Sequence, residues 1–358
     1  MIFERGRHTH HDFILNNSII EVVESFKYLG IHFFKNGNWN RTQKRLANHA
    51  SFALHNLFSL FNQVELPISQ KCKLFDALIT SILNYSSEVW GMHEAKDIEL
   101  LHTKFCRRIL GVKKSTNLVA LYGELGRFPL IIVRKLRMLK YWQNILNMNN
   151  HMLTKQVYIL LKNDADLNIS YIKESNWASQ IKKMLDTLGF SDIWIHQFEI
   201  DIPFDLIKQR LTDTYKQSWY SDINNSNRLL SYCRFKHNFD FENYLDNITD
   251  NKLRKELCKF RLSSHQLAIE KGRYNNIPRE QRKCTLCNQN TIENEYHFLL
   301  VCQKYRHLRT KFLKPYFCSF PTLNKFDTLM TSRSTKTLLN ISKYLFHASK
   351  LRNDLLKQ

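Results

Sequence analysis

Glycine and proline are scarce in this sequence, 9 and 6 among 358 residues. A sandwich, a barrel or a doubly wound sheet needs many tight turns, so those architectures are disfavoured and a mostly α chain is expected. No stretch approaches the roughly 18 uninterrupted apolar residues of a membrane-spanning helix. The N-terminus, Met1-Ile-Phe-Glu-Arg-Gly-Arg-His8, lacks the apolar centre of a secretory signal. The expectation is a soluble, intracellular chain, nuclear or cytoplasmic, neither secreted nor attached to a membrane. Also missing are an Asp-Asp pair, G-x-x-x-x-G-K-[ST], H-E-x-x-H and G-x-S-x-G, so no motif offers a seat for unassisted catalysis. What is present, 43% apolar and 13% aromatic residues, excludes disorder and suffices for one large core or two modest ones.

Acidic residues are the other deficit. Against 53 Lys and Arg stand 32 Asp and Glu, a net charge of +21. The excess is confined to two blocks. Residues 101–150 hold 10 basic and 1 acidic side chains, and residues 256–358 hold 19 and 7, while residues 1–100 and 151–255 are balanced. Two basic blocks between neutral ones predict two surfaces that meet a polyanion, RNA or DNA in the first instance. A set of solvated helix faces is the bland alternative.

Residues 1–40 read as the clearest β segment. Ser18–Val23 and Phe26–Phe34 are rich in β-branched and aromatic residues, and Asn36-Gly37 has the chemistry of a tight turn. Residues 41–150 read as basic and helical, opening with a helix over 40–63. A second follows Pro67, with Leu74, Ala77, Leu78, Ser81 and Ile82 at helical spacing. Next comes a helix with Ile98, Leu101, Phe105, Ile109 and Leu110 on one face, stopped by Gly111. In a further helix over 130–146, Leu136, Leu139, Trp142 and Ile145 face inward and Arg134, Arg137 and Lys140 form a stripe at steps of three. Residues 147–175 are polar and predict a break, in which Asp164-x-Asp166 reads as helix capping rather than a metal pair. The remainder of 151–255 is a neutral helical connector, 256–318 a zinc-knuckle region, and 319–358 a basic tail ending in a helix over 335–356. Cys72, Cys106, Cys233 and Cys258 are expected to be buried small hydrophobes.

The segment with chemistry in it is Cys284-Thr-Leu-Cys287, followed by His297 and Cys302, a C-x2-C-x9-H-x4-C pattern. Two thiols on a tight knuckle and a His and Cys about one turn apart can converge on a tetrahedral Zn²⁺. Four ligands close the shell, which predicts a structural rather than a hydrolytic metal. A disulfide or a chance spacing are the alternatives. The fourth ligand is the loosest assignment, because His307 lies beyond Cys302 and His265 lies upstream.

Several motifs come in a familiar order. Phe26-Lys-Tyr-Leu-Gly30, Leu83-Asn-Tyr-Ser-Ser-Glu-Val-Trp-Gly91, Phe105-Cys-Arg-Arg-Ile-Leu-Gly-Val112 with Tyr122-Gly-Glu-Leu-Gly126, Arg261-Leu-Ser-Ser-His265 with Ile269-Glu-x-Gly272-Arg273, and the Cys/His pattern together resemble the carboxy-terminal half of a LINE-type (non-LTR) retrotransposon reverse transcriptase. The resemblance implies a primer-grip-like hairpin at Phe26, Tyr28, Leu29 and Gly30, a helical thumb, a connector and a zinc knuckle. It also implies that the two-aspartate palm lies upstream of the point where this sequence begins. Such a chain would bind nucleic acid without polymerising alone, and Mg²⁺ would enter only with a palm-bearing polymerase in trans. Phosphate contacts are expected from Arg107, Arg108, Lys113, Lys114, Arg134, Lys135, Arg137 and Lys140 along a primer–template duplex. Around the knuckle they are expected from Arg273, Arg279, Arg282, Lys283, Lys304, Arg306 and Arg309. Tyr274, Tyr296 and Tyr305 either stack on unpaired bases or pack the knuckle. Two rival readings remain: a host-recruited helical scaffold for a protein partner, stapled by structural zinc, and, more remotely, a zinc enzyme.

Overall fold

The computed structural model describes residues 12–167 and 176–357. The first eleven residues of the expected β segment and residues 168–175 of the expected break lie outside them. Helices dominate, joined by two small antiparallel ribbons near the N-terminus, as the shortage of glycine and proline predicts. None of the described helices is long and apolar enough to cross a membrane. The chain divides into two compact units, each assembled from separated stretches rather than from consecutive segments.

The first unit comprises 1–60, 74–102 and 128–215. Its ribbons differ from the expected hairpin. Ile14–Leu15 pairs with Ser18–Ile19, and Ser25–Tyr28 pairs with Ile31–Phe34 in the register Phe26 to Phe33 and Tyr28 to Ile31. The turn of the second ribbon therefore falls at Leu29-Gly30, inside the run expected to be one strand. Both residues have positive φ, 45° and 84°. A two-residue loop of that hand matches strand twist, and a glycine at its second position makes it accessible. The Tyr85 hydroxyl donates to the Leu29 carbonyl at 2.9 Å and tethers the turn. Asn36-Gly37 instead ends the ribbon. Asn36 and Asn38 accept backbone bonds two residues on and lead the chain into the helix Asn40–Gln63.

The next helical stretch also differs from the expectation. Ile68–Leu74 is α-helical, but Phe75–Thr80 widens into a π-helical turn. The inward face becomes Phe75, Ile79 and Leu83, and Leu78 is left exposed. With Ile68 and Cys72 before them, these positions keep helical steps of three and four, one residue on from the face expected from the sequence.

The core of this unit is built by Leu130–Leu146, Leu153–Asp166 and Trp177–Thr187 around Met138, Leu139, Trp142, Tyr158, Ile181 and Leu185. Trp142 Nε1 donates to the Tyr158 hydroxyl at 2.7 Å, and Tyr158 donates in turn to Gln197. Buried polar tips thus find partners inside the core. The helix Leu153–Asp166 occupies much of the expected break. Lys155, Tyr158 and Ala165 form its buried face, and the Lys155 ammonium reaches the Leu146 carbonyl. Asp166 caps nothing. It accepts from Lys162 at 2.8 Å, Lys182 at 3.2 Å and Trp194 Nε1 at 2.9 Å.

The second unit comprises 61–73, 103–127 and 216–358. At its centre Glu124, on the helix Leu118–Leu125, meets Arg261, on the helix Asn251–Arg261. Arg261 Nε donates to Glu124 at 2.5 Å, Nη2 to Glu242 at 3.0 Å and Nη1 to the Met330 carbonyl at 2.9 Å. Tyr244 and Tyr232 donate to Glu124 at 2.6 and 3.1 Å. The rings of Phe235 and Tyr244 lie 4.7 and 5.1 Å from the guanidinium. Burial works against the Arg261 cation, yet Glu124 and Glu242 outweigh it and hold the arginine above its ordinary pKa.

The Gly123 and Gly126 positions explain the motif around Glu124. A Cβ at Gly123 would stand 2.4 Å from the Trp219 ring, whose Nε1 bonds the Val119 carbonyl. Gly126 closes the helix at φ 58°, and a Cβ there would meet the Phe241 backbone at 2.5 Å. The last helix, Thr335–Leu355, is part of this core rather than a tail. Leu338, Ile341, Tyr344, Leu345 and Ala348 are buried, and Arg352 bonds Glu293 through two contacts of 2.7 and 2.6 Å.

Arg261→Met leaves Glu124 and Glu242 without their cation. It is expected to lower stability in urea unfolding by about 3–5 kcal/mol. Adding Glu124→Leu is expected to recover part of that loss, because the stranded buried charge disappears.

Candidate metal centre and basic surface

Cys284 and Cys287 sit on a knuckle held by short backbone pairing. Cys284 N–H bonds the Thr291 carbonyl at 2.9 Å, Glu293 N–H bonds the Arg282 carbonyl at 2.9 Å, and Lys283 bridges to Ile292. Asn290 takes the positive φ of the return turn. On the other side, His297 opens a single π-helical turn, His297–Val301, which Cys302 closes by donating its N–H to the His297 carbonyl at 2.8 Å. In an ordinary α-helix, residues five apart point about 140° away from each other. The widened turn is what brings His297 and Cys302 to one side.

All four side chains are buried, and their ligating atoms lie within 4.8 Å of one another. Cys287 Sγ is 3.5 Å from His297 Nε2, and Cys284 Sγ is 4.0 Å from Cys302 Sγ. An S–S bond of about 2.05 Å is far shorter, so the pair is not a disulfide. A tetrahedral ion with metal–sulfur bonds of about 2.3 Å and a metal–nitrogen bond of about 2.0 Å spaces its ligands by about 3.8 Å for S···S and about 3.5 Å for S···N. The two separations given fit those values, and the cluster could hold a metal ion. The Thr291 hydroxyl, 3.0 Å from His297 Nδ1, leaves Nε2 directed inward. Hydrogen bonding between Cys284 and Cys302 pulls the first thiol down from its ordinary pKa and pushes the second up, so that the two share a proton. His265 belongs elsewhere: its Nε2 bonds Glu295 at 3.0 Å. His307 is exposed on the helix Arg306–Phe312 and is not in the cluster. Among the described residues this is the one such group.

The spacing of the four ligands does not reveal Thr291 as the partner of His297. Nor did the pattern show that Arg309 Nη2 braces the Cys302 carbonyl at 2.6 Å.

The basic candidates separate into two groups. Arg134 is 1% exposed. Its Nη2 bonds Glu99 at 3.0 Å, while the same carboxylate accepts the N–H groups of Leu130 and Ile131 and so caps the helix Leu130–Leu146. Arg137 donates to the Asn84 carbonyl at 2.7 Å, Lys135 is half-buried, and of the stripe Lys140 alone is exposed. The expected phosphate-facing stripe is therefore corrected to a largely internal one. Arg309 is buried behind Cys302, and Arg282 donates to the carbonyls of Ile277 and Ile269 at 2.8 and 3.0 Å; both serve the fold. Arg273 pairs with Glu270, and Lys113 donates to the His265 carbonyl. Arg107 and Arg279 are half-buried. Arg108, Lys114, Lys283, Lys304 and Arg306 are exposed.

Of the tyrosines, Tyr305 is buried against Phe298, and Tyr296 bonds the Pro321 carbonyl and packs edge-on to Phe326. Both pack the fold. Tyr274 is exposed, with Arg273 4.6 Å above its ring. Phe26, Tyr28, Leu29 and Gly30 are all exposed on the ribbon. Cys72, Cys106 and Cys258 are buried as expected, and Cys233 is only partly so.

No protein-family model, curated protein or solved structure matches this chain.

Cys302→Ser or Cys284→Ser is expected to abolish stoichiometric metal uptake, measured by Co²⁺ absorption spectroscopy, whereas His307→Ala leaves it intact. Thr291→Val is expected to weaken metal affinity about 10-fold or more, because the His297 ring loses the partner that orients it.

Proposed function

We propose that this chain is a nucleic-acid-binding part of a non-LTR retrotransposon reverse transcriptase, with a structural Zn²⁺ in the Cys284, Cys287, His297, Cys302 cluster. The observation that carries the reading is the order of the motifs along the chain, ending in a Cys3His pattern whose four ligands are brought together. Three sulfurs and one nitrogen suit zinc, and a complete shell leaves no position for a reacting water, which disfavours the zinc-enzyme reading. Strand binding then falls to the exposed bases around the knuckle and the Arg107–Lys114 turn, supported by the net charge of +21. Polymerisation needs carboxylates to hold two metal ions. This sequence contains no Asp-Asp pair, so the reading assigns it binding rather than catalysis, with Mg²⁺ and chemistry supplied by a palm-bearing polypeptide.

The internal placement of Arg134 and Arg137 favours a second reading for the helix Leu130–Leu146, that of a scaffold which meets a protein partner. The two readings differ in salt dependence. Titration with single-stranded RNA, single-stranded DNA and an RNA–DNA hybrid is expected to show affinity falling steeply with salt and weakening on zinc chelation. Charge reversal of Lys283, Lys304 and Arg306 is expected to reduce the slope of log K against log salt by about 3. Weak binding that is flat in salt and indifferent to chelation would overturn the nucleic-acid reading.

A further inference from the structure

The unit that contains the Cys3His cluster also contains a cavity of about 380 Å³ that none of the metal-ligating side chains lines. The helices Asn251–Arg261 and Thr335–Leu355 and the turn at Gly111–Lys113 enclose it. Its floor is apolar: Phe260, Leu267, Phe298 and Leu345 are all buried. Its rim is cationic, formed by Lys113, Lys259 and Lys350 with the Ser349 hydroxyl.

The charges on that rim are unequally matched. The one carboxylate lining the cavity, Glu256, pairs with Lys259 at 2.6 Å. Arg352 reaches the wall, but its guanidinium is committed to Glu293. The Lys113 ammonium donates to the His265 carbonyl at 2.8 Å; burial, with Arg228 and Lys259, presses its pKa down against the opposing pull of Tyr274 and Glu270. Lys350 is exposed at the mouth. A dianion placed between Lys113 and Lys350 would meet one cation in a partly dry setting, where such pairs are stronger than in water, and a second at the open mouth. The volume is at the lower end of small-ligand sites, right for one nucleotide and too small for a paired strand.

We infer that this cavity binds a single nucleotide, with its base on the apolar floor and its phosphate between Lys113 and Lys350. The inference rests on the nucleic-acid reading above only for the source of that nucleotide, free or at the end of a strand. Its chemistry is independent of the knuckle.

Calorimetric titration of the full zinc-loaded chain with each of the four ribonucleoside monophosphates tests it. One-to-one binding is expected for at least one of them, with the matching nucleoside and inorganic phosphate each at least tenfold weaker, since either alone forfeits half of the site. Lys113→Gln and Lys350→Glu are expected to weaken that binding at least tenfold, and Lys208→Glu, at an exposed lysine that does not line the cavity, to leave it unchanged. Lys350 lies on an exposed helix face, so its variant keeps the fold and the test stands even if Lys113→Gln unfolds. Binding of none of the four, equal binding of phosphate alone, or indifference to Lys350→Glu would overturn the inference. Competition by a 5′-phosphorylated oligonucleotide but not by its hydroxyl-ended twin supports the pocket with a strand end as its source. Competition by neither supports it with free nucleotide. Loss of strand binding with monophosphate binding intact would overturn the proposed function alone.

Discussion

Glu124 and Arg261 organise the second unit. Bringing a carboxylate and a guanidinium out of water is unfavourable unless nearly every lone pair and proton finds a partner. Here Arg261 divides its N–H groups among Glu124, Glu242 and the Met330 carbonyl, while Tyr232 and Tyr244 occupy the carboxylate. Those partners come from helices and turns far apart in the chain, so the pair can be satisfied only when all of them are in place. It therefore specifies which helices meet as well as contributing to how firmly they hold.

The same logic recurs at smaller scale around the Cys/His cluster. Glu293 receives Arg352 and the Ala268 N–H, and Glu295 receives Ser231, Ser263 and His265. Two buried acids in the segment leading into His297 thus anchor the knuckle to its surroundings. Hydrogen bonds from His265 and Ser231 overcome burial and pull the Glu295 carboxyl down to about 2, so it stays ionised through the neutral range. The ligands are held by a frame whose charges are already matched, which is the arrangement a structural metal reinforces.

Charge arithmetic was the least transferable part of the sequence analysis. Glu124, the single acid of residues 101–150, is wholly buried and neutralises Arg261 rather than any base in its own block. Conversely Glu99, counted in the neutral block before it, neutralises Arg134 and caps its helix. Coulomb partners are chosen by distance in space, and a window along the chain cannot see them. Helix faces fared better, since Ile98, Leu101, Phe105, Ile109 and Leu110, and likewise Leu139, Trp142 and Ile145, are buried as their spacing predicts. The face expected over Leu74–Ile82 lies one residue away from the buried one, Phe75, Ile79 and Leu83.

The helical class, the stop at Gly111 and the four candidate metal ligands follow from local chemistry: few turn formers, 3.6-residue periodicity, and thiols and an imidazole close enough in sequence to converge. These are short-range properties, legible without knowing what lies across the fold. Tertiary structure alone decided which arginines face water, where the ribbon turns, and that the last helix is core rather than tail. Each of those outcomes depends on a partner remote in sequence, Glu99 for Arg134, Tyr85 for the Leu29 turn, Glu293 for Arg352. A buried charge or a strained turn persists only where such a partner satisfies it, and that condition exists only once the chain has folded.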